Sequence, residues 1–327
     1  MKKVIFCLTS ILTVILVWGV GLQAAEVKIN FGHPLPPTHP NHLAAERFAK
    51  LAMENSNGRI KVDVYPANQL GNAKQMVEGV MLGSIKMALT SPARVGLFQP
   101  EFAILECPYL FRDIQHLQNT LRGEIGQELV EKAEKNRGLK MMAMDWLYGT
   151  RHVTTKATPV KNPQDLKGLL IRTPELPVYV ETVRAMGATP APVNFADLYM
   201  ALKQGTVDGQ ENPVATIYTY KYYEAQKYLN LTSHMIRNVV VFTNAGWYKK
   251  LPEETRTILE NAMEEATKYN NQLIVNEEKD FTEKLKAEGV IVVASDVDAF
   301  RNACSQVHKK FEKDWGEGLF ERIQAVR

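Results

Sequence analysis

Hydrophobic and polar positions along the chain predict an alternation of strands and helices. Residues 27–32 alternate apolar and polar side chains with the period of a half-buried strand, whereas residues 42–55 repeat apolar side chains with the period of a helix. The same pattern predicts the next elements of a first lobe: strands at 60–65, 87–89 and 139–144, and helices at 72–82 and 114–137. Such an alternation is typical of an α/β protein.

A second series of elements resembles the first. It contains strands near 151–155 and at 169–172, and helices at 177–186 and 195–204. Two segments echo each other, LGSIKMALTSP (82–92) and QGTVDGQENP (204–213), in which Ser91 or Asn212 precedes a proline after a short strand. Open α/β sheets bind ligands at such strand ends. The alternative is that both segments are ordinary turns of an α/β chain.

Residues 252–287 form the longest uninterrupted helical pattern. Within this range no proline or glycine follows Pro252, and apolar residues recur at roughly helical spacing. A helix of this length would extend about 50 Å, more than one lobe requires, and so we expect it to bridge both lobes. A kink between Asn270 and Asn276, which are weak helix formers, is the alternative.

The N-terminal segment has the pattern of a secretory signal peptide. Two lysines precede an uncharged stretch of residues 4–20, and small residues follow before Glu26, so we expect cleavage near Ala25. An uncleaved membrane anchor is the alternative. Both lysines lie in residues 1–25, whose removal leaves 37 basic against 36 acidic residues. This balance predicts neither a nucleic-acid partner nor another polyanion.

The chain length and composition indicate two ordinary globular domains. The chain has 327 residues, of which 45% are hydrophobic and 23% charged. At roughly 150 residues per domain, the mature part suffices for two domains with proper cores. Cys107 and Cys304 are too far apart in sequence for a zinc or redox motif, so they form either a disulfide or two separate buried thiols.

Motifs of common enzymes are missing from the sequence. It contains no GxSxG, HExxH, GxxxxGK[ST] or GxGxxG motif, and its seven histidines are scattered. Catalysis therefore has little support, and no metal or cofactor is implied.

Two arginines at strand boundaries are the strongest chemical signal. Arg151 lies in YGTRHVTT and Arg172 in GLLIRTPE, where it ends an apolar strand just before a turn. A guanidinium group in a desolvated cleft requires an anion, and its planar fork matches a carboxylate. Either arginine could instead form a salt bridge, for example with Asp165 or Glu175. Two such arginines together favour a carboxylate ligand.

The sequence resembles the DctP-type solute-binding proteins of TRAP transporters, the tripartite carriers that import organic acids. The resemblance rests on the run GLLIRTPELPVYVETVRAMGATPAPVNFADLYMALKQGTVDGQENP. Further matching segments, in order along the mature chain, are FGHPLPP, VYPANQLGN, RVGLFQPEF, GTRHVTT, KYYEAQKYL and WYKKLPEE.

The resemblance implies a two-lobed periplasmic-binding-protein fold of the α/β class, with crossing strands and a long lobe-spanning helix. It implies a first lobe of residues 26–148 with about 238–277, and a second lobe of 149–237 with about 278–327. It further implies a periplasmic monomer that delivers a carboxylate ligand to TRAP membrane subunits without a cofactor.

The resemblance also assigns ligand-binding residues. In the family, the arginine of the IRTP strand grips the ligand carboxylate. The implied ligand-binding residues are Arg172, Arg151, Asn212, Phe195, Arg94, Trp146, His33, Glu175 and Ser91. Trp146 could instead be a core residue, Arg94 a structural ion-pair partner and His33 a loop histidine with its own hydrogen bonds.

The identity of the ligand stays open at this stage. Members that bind sialic acid carry acidic residues where Ser91 and Ala73 stand here, so sialic acid is disfavoured. A hydroxylated or aromatic monocarboxylate, a sugar acid or a dicarboxylate would suit the remaining residues. A sensor protein that presents its ligand to a receptor, and less readily a secreted hydrolase or lyase using the same cleft, are the alternative functions.

Overall fold

One sheet of nine strands passes through the whole protein. The structure, a computed structural model, describes residues 27–327; the predicted signal segment lies outside these residues. The strands are β1 Val27–Gly32, β2 Ile60–Tyr65, β3 Met87–Thr90, β4 Leu139–Thr155, β5 Leu170–Thr173, β6 Thr189–Pro192, β7 Gly209–Pro213, β8 Tyr228–Asn244 and β9 Ile291–Val293. They are ordered β2-β1-β3-β8-β4-β7-β5-β6, and β9 pairs with β8.

Helices cover both faces of this sheet. The α-helices are α1 Pro40–Asn55, α2 Ala73–Leu82, α3 Pro92–Val95, α4 Ile114–Arg122, α5 Glu124–Arg137, α6 Pro177–Ala185, α7 Leu198–Gln204, α8 Val214–Thr219, α9 Ala245–Lys249, α10 Glu253–Ala287, α11 Val297–Cys304, α12 Glu312–Trp315 and α13 Leu319–Ala325. Short 3₁₀ helices occupy Pro100–Glu106, Pro163–Leu166, Phe195–Asp197, Tyr222–Glu224 and His308–Lys310. None of the helices between residues 27 and 327 has the length and apolar character needed to span a bilayer.

Two long antiparallel strands, β4 and β8, connect the two lobes. Each has 17 residues. The part of the sheet formed by β1, β2 and β3 lies on one side of this central pair, and the part formed by β5, β6 and β7 lies on the other. We call the lobe that contains β1–β3 the first lobe and the lobe that contains β5–β7 the second lobe. The predicted two-lobed α/β fold with crossing strands is confirmed.

The separate strands predicted at 139–144 and 151–155 are one continuous strand, β4. Gly149, between the two predicted strands, adopts a positive φ of 113°. The strand passes through this point with β-bulges: its register against β8 shifts between Ala143 and Trp146 and again between Leu147 and Gly149. The bulges bend the strand without ending it.

The single helix predicted at 114–137 is two helices, α4 and α5. Gly123 separates them in an extended conformation, with φ −87° and ψ −166°, and its N–H group still donates to the carbonyl of Asn119. The Asp113 side chain caps the start of α4 by accepting from the His116 N–H group. Glycine between two amphipathic segments therefore ended the first helix, as its weak helix propensity allows.

The predicted helix at 252–287 is continuous and spans both lobes as α10. It packs against α1 in the first lobe and α8 in the second. Asn270 and Asn271 are buried and bond to β4: Asn270 Nδ2 donates to the Leu147 carbonyl at 3.0 Å, and Asn271 Oδ1 accepts from the Leu147 N–H group at 2.8 Å. These residues, weak helix formers in isolation, satisfy backbone groups beside the bulges of β4.

The C-terminal helices return to the first lobe. Trp315, Leu319 and Ile323 belong to the same buried cluster as Leu117 of α4. His116 Nε2 lies 2.8 Å from the Ile323 carbonyl oxygen. The sequence analysis assigned the end of the chain, about residues 278–327, to the second lobe. The exact lobe boundaries stay a prediction. Cys107 and Cys304 are free and buried thiols.

Candidate ligand-binding site

A cavity lies between the two lobes beside the crossing strands. Its volume is about 170 Å³, small beside the roughly 300–1,000 Å³ typical of ligand pockets, so it suits a small solute. The residues in its wall include Pro34, Leu35, Asn68, Asn72, Ala73, Lys74, Leu89, Thr90, Ser91, Arg94, Tyr148, Arg151, Arg172, Pro174, Glu175, Leu176, Tyr179, Asn194, Phe195, Asn212, Arg237 and Val239.

The two echoing sequence segments meet at this cavity. In the first lobe, β3 ends at Thr90, and the Ser91 side chain caps α3 by accepting from the Arg94 N–H group at 3.3 Å. In the second lobe, β7 ends at Pro213 directly before α8. Ser91 and Asn212 both lie in the cavity wall. The echo therefore marks one equivalent strand-to-helix turn in each lobe.

Arg172 is a nearly buried cation without a carboxylate partner in the structure's described part. It lies in β5 and is 1% exposed. Its Nε and Nη2 atoms both donate to the Val193 carbonyl oxygen, at 2.9 and 2.6 Å. Burial lowers its pKa to about 10, which leaves it charged at neutral pH. A carbonyl oxygen fixes the guanidinium group but does not neutralise it, so the site favours an anion.

Arg151 is held by a buried carboxylate from the neighbouring strand. Its Nε and Nη2 atoms donate to the two carboxylate oxygens of Glu211, at 2.5 and 2.8 Å. His234 Nε2 lies 3.1 Å from the same carboxylate. Burial opposes ionisation of Glu211, but Arg151 and His234 together outweigh it and lower the pKa of Glu211 to about 2. The salt bridge foreseen as an alternative for Arg151 exists, with Glu211 in place of Asp165 or Glu175.

Unpartnered polar atoms occur beside this ion pair. Arg151 Nη1 and the Tyr179 hydroxyl are both buried without a hydrogen-bond partner. Both residues line the cavity, and the Arg151 guanidinium carbon lies 5.1 Å from the Tyr179 ring centre. Buried donors without partners are costly, and a ligand oxygen would satisfy them. Arg151 can therefore hold Glu211 and still offer an N–H group to a solute.

Arg237 is a further arginine of the cavity that sequence reasoning missed. It lies in β8, where its guanidinium carbon is 4.5 Å from the Tyr148 ring centre and its Nε is 3.5 Å from Glu106 Oε1. Arg237 is a cation within the otherwise largely apolar run MIRNVVVF, and this interruption of a buried strand was the available signal. Tyr148 and Tyr179 also gave no signal, because aromatic residues fit a core equally well.

Seven of the nine implied site residues line this one cavity. They are Arg172, Arg151, Asn212, Phe195, Arg94, Glu175 and Ser91. Phe195 lies with its ring centre 5.8 Å from the Arg172 guanidinium carbon. Glu175 is exposed, at the rim. Whether each residue contacts the ligand stays a prediction.

Trp146 and His33 do not belong to the described cavity wall. Trp146 is fully buried in the first-lobe core, and its Nε1 donates to Thr267 Oγ1 at 2.7 Å. His33 is also fully buried; its Nε2 lies 3.0 Å from His42 Nδ1, and its Nδ1 accepts from the Leu35 N–H group. Both side chains already have hydrogen-bond partners within the protein, as their structural alternatives foresaw.

Known proteins resemble this chain over most of its length. The family described as bacterial extracellular solute-binding protein, family 7 (DctP) matches residues 31–314. The 2,3-diketo-L-gulonate-binding periplasmic protein YiaO of Escherichia coli is 35% identical over 304 residues, covering 92% of each chain.

Solved structures show the same fold. A TRAP periplasmic solute-binding protein of Polaromonas, bound to D-erythronate, is 32% identical with a TM-score of 0.87 and covers 92% of this chain and 99% of its own. A second, from Sulfurospirillum deleyianum with bound succinate, is 30% identical with a TM-score of 0.86, covering 93% and 100%. The chain therefore belongs to the DctP family of bacterial extracellular solute-binding proteins, the solute-binding proteins of TRAP transporters.

Proposed function

We propose that this protein captures a small organic acid in the cavity between its lobes and delivers it to TRAP membrane subunits. Sugar acids, hydroxy acids and dicarboxylates are the candidate ligands. The observation that carries the proposal is Arg172, a buried cation fixed by a carbonyl oxygen and not neutralised by any carboxylate among residues 27–327. The ligands named for the two solved relatives, D-erythronate and succinate, belong to this chemical class.

The proposed binding geometry assigns different tasks to the polar residues. Arg172 forms the main ion pair with the ligand carboxylate, because three of its five N–H groups are not used by the Val193 carbonyl oxygen. Arg151 Nη1, the Tyr179 hydroxyl and Asn212 contribute hydrogen bonds, and Phe195 packs against the carbon skeleton. Residues of both lobes line the cavity, so ligand binding favours the closed arrangement by a hinge motion.

The cellular setting follows the same proposal. Residues 1–25 direct the chain out of the cytoplasm and are removed near Ala25. The mature protein acts in the periplasm as a monomer and releases its ligand chemically unchanged. Curated relatives that are named as periplasmic binding proteins support this location.

A thermal-shift screen of organic acids with the mature protein tests the proposal. An acid that binds only the folded state, at a free concentration 100 times its dissociation constant, adds about 2.7 kcal/mol to the free energy of unfolding and raises the melting temperature. Mass spectrometry of the acid recovered after incubation with the protein should show the mass of the acid that was added. If no small acid in a panel of sugar acids, hydroxy acids and dicarboxylates shifts the transition, the proposal fails; conversion of the acid would instead indicate an enzyme.

A further inference from the structure

A series of hydrogen bonds runs from His39 through Thr216 to Tyr148 and crosses from one lobe to the other. His39 comes directly before α1 in the first lobe, Thr216 lies in α8 of the second lobe, and Tyr148 lies in the crossing strand β4. His39 Nε2 is 3.3 Å from Thr216 Oγ1, which is 2.7 Å from the Tyr148 hydroxyl oxygen. All three side chains are buried. We call these three residues the interlobe hydrogen-bond chain.

The first residue of the interlobe hydrogen-bond chain, His39, has a defined tautomer. Its Nδ1 atom caps α1 by accepting from the Asn41 N–H group at 3.2 Å. Burial lowers the pKa of His39 to about 3, so the ring is neutral at pH 7 and carries a single proton. Because Nδ1 is an acceptor, this proton is on Nε2. His39 Nε2 therefore donates to Thr216 Oγ1.

The direction of this first hydrogen bond determines the directions of those that follow. Thr216 Oγ1 carries one proton, and after accepting from His39 it donates that proton to the Tyr148 hydroxyl oxygen. The Tyr148 oxygen is thus an acceptor toward the protein. Within residues 27–327 its own proton has no acceptor. The Tyr148 O–H group therefore remains available as a donor to another molecule.

Tyr148 forms part of the cavity wall between the lobes. It lines the cavity together with Asn212, which comes just before α8, the helix that carries Thr216. Two contacts hold the Tyr148 ring: the His39 ring stacks on it with the ring centres 5.3 Å apart, and the Arg237 guanidinium carbon lies 4.5 Å from its centre. A donor whose ring and hydroxyl group are both fixed before binding loses little freedom when a ligand accepts from it.

We infer that Tyr148 donates a hydrogen bond to an oxygen atom of the bound acid, and that His39 and Thr216 are positioning residues that fix the direction of its O–H group. The inference rests on the proposed function, because it requires an acid in the cavity between the lobes. It adds a neutral donor whose direction depends on contacts from both lobes. A solute that places a methyl or ammonium group against Tyr148 leaves this donor unpaired and binds less tightly.

Isothermal titration calorimetry of Tyr148→Phe tests the donor. The probes are D-erythronate, gluconate, malate and succinate, and the acid that binds the unaltered mature protein most tightly is used for all variants. Tyr148→Phe keeps the ring and removes the O–H group, so the affinity should fall roughly 10-fold. Tyr199→Phe removes a hydroxyl group of α7 that bonds to Glu224 outside the cavity, and this control should bind within about 2-fold of the unaltered protein. A Tyr148→Phe affinity within the same range would overturn the inference.

Substitutions of Thr216 test the positioning residues. Thr216→Val keeps the shape but neither accepts from His39 nor donates to Tyr148, so it should weaken binding of the same probe roughly 5-fold. Thr216→Ser retains the hydroxyl group and should restore the affinity to within about 2-fold of the unaltered protein. Thr219→Val, which removes a hydroxyl group of the same helix that bonds only to the Ala215 carbonyl oxygen, is the matched control and should bind like the unaltered protein.

The combination of Tyr148→Phe with Thr216→Val separates positioning from a general effect on the fold. In the Tyr148→Phe background, Thr216→Val should weaken binding by less than about 2-fold, because the group that Thr216 positions is already absent. A Thr216→Val effect of equal size in both backgrounds would show that Thr216 does not act through Tyr148.

The tautomer of His39 gives a measurement that needs neither a ligand nor a folded Thr216 variant. Long-range proton–nitrogen NMR spectra of the unaltered protein at neutral pH should show the His39 proton on Nε2. The His39→Asn variant identifies the signals by their loss, because asparagine can still cap α1. A proton on Nδ1 would reverse the direction of the interlobe hydrogen-bond chain and overturn the positioning role.

Arg172→Gln separates this inference from the proposed function. If Arg172→Gln weakens binding of the probe and Tyr148→Phe does not, the proposed function stands and the inference is wrong. If Tyr148→Phe weakens binding and Arg172→Gln does not, the Tyr148 donor stands and the assignment of Arg172 to the ligand carboxylate is wrong. If none of the four probes binds to the unaltered protein, the proposed function fails and the inference fails with it.

Discussion

Two buried glutamates, Glu211 and Glu106, hold arginines of the cavity wall in different ways. Glu211 accepts from two nitrogens of Arg151 and contacts His234, so both of its oxygens are used. Glu106 has one backbone donor, one arginine at 3.5 Å and one oxygen without a partner. Both carboxylate oxygens of Glu211 therefore have hydrogen-bond partners, whereas the Glu106 carboxylate keeps one oxygen without a partner.

This difference indicates that the two glutamates contribute unequally to the stability of the fold. A buried ion pair with all its hydrogen bonds fixes side chains in one geometry, and it is costly to break because one charge is left behind. An incompletely paired cluster contributes less to folding and has more to gain from a ligand. We therefore expect a substitution of Glu211 to affect stability more than a substitution of Glu106.

The largest effect should come from Glu211→Gln. The substitution keeps the shape but leaves Arg151 buried without a counter-charge, so we expect the free energy of unfolding to fall by about 3–5 kcal/mol. Urea unfolding followed by circular dichroism measures it. Glu224→Gln, at an exposed glutamate of the same lobe, is the control and should leave the free energy of unfolding nearly unchanged. A Glu211→Gln variant as stable as this control would remove the basis of the comparison.

Arg172→Ala should cost about 2–5 kcal/mol of binding free energy with the fold intact. The reason is the loss of the main partner of the ligand carboxylate. Titration calorimetry with the acid found by thermal shift measures the loss. Arg172→Lys should also bind weakly, because a point charge does not reproduce the planar fork. Arg184→Ala removes an exposed arginine of α6 and is the control, which should bind the acid like the unaltered protein. If Arg172→Ala binds the acid as tightly as the unaltered protein, the assignment of Arg172 to the ligand carboxylate is wrong.

Acid should destabilise the protein through histidines buried near both walls. Burial lowers the pKa of His39 and of His152 to about 3, from an ordinary value of 6.5. Between pH 6.5 and 3 the unfolded chain binds these protons and the folded protein does not, so stability falls as the pH falls. At pH 5 each histidine should cost about 2 kcal/mol relative to pH 7.5.

Urea unfolding at the two pH values, with histidine variants, measures this loss. His152→Gln should recover about 2 kcal/mol of the difference. The Glu211 carboxylate, whose pKa is about 2, stays ionised at pH 5, so its pair with Arg151 persists over this range. An equal pH dependence in the His152→Gln variant would contradict the burial argument.

The smallest effect should come from Glu106→Gln, the matched partner of the first substitution. Glutamine can still accept from the Ala93 N–H group, and the ion pair it removes is long and lacks a hydrogen bond at Arg237 Nε. We expect a loss of about 1 kcal/mol in urea unfolding. A loss as large as that of Glu211→Gln would show that the two glutamates contribute equally to stability.

Sequence reasoning predicted those features that depend on local pattern. The period of residues 27–32 and 60–65 gave strands that the structure confirms, and the uninterrupted pattern of 252–287 gave one long helix. It failed where a tertiary partner overrides a local signal. The pattern predicted two strands, at 139–144 and near 151–155, but pairing with β8 and β7 makes them one continuous strand, β4.

The candidate site likewise contains residues that the local sequence pattern indicated and residues that only the fold brings there. Arg172 and Arg151 stood out because the sequence pattern placed each at a predicted strand boundary beside a recognisable motif, although Arg151 lies inside β4 in the structure. Arg237 lies inside a long strand, and only its position opposite Glu106 and Tyr148, more than 80 residues away in sequence, brings it to the cavity. Trp146 resembled a site residue by motif, whereas its orientation toward Thr267 depends on the path of α10.

The attachment of α10 to β4 through Asn270 and Asn271 constrains how the molecule can open. Because the helix is fastened to a crossing strand near its middle, it cannot slide lengthwise when one lobe swings away from the other. Its C-terminal part packs in the second lobe through Phe281 and Leu285. We therefore expect opening of the lobes to bend α10 between Asn271 and Phe281, beyond its attachment to β4.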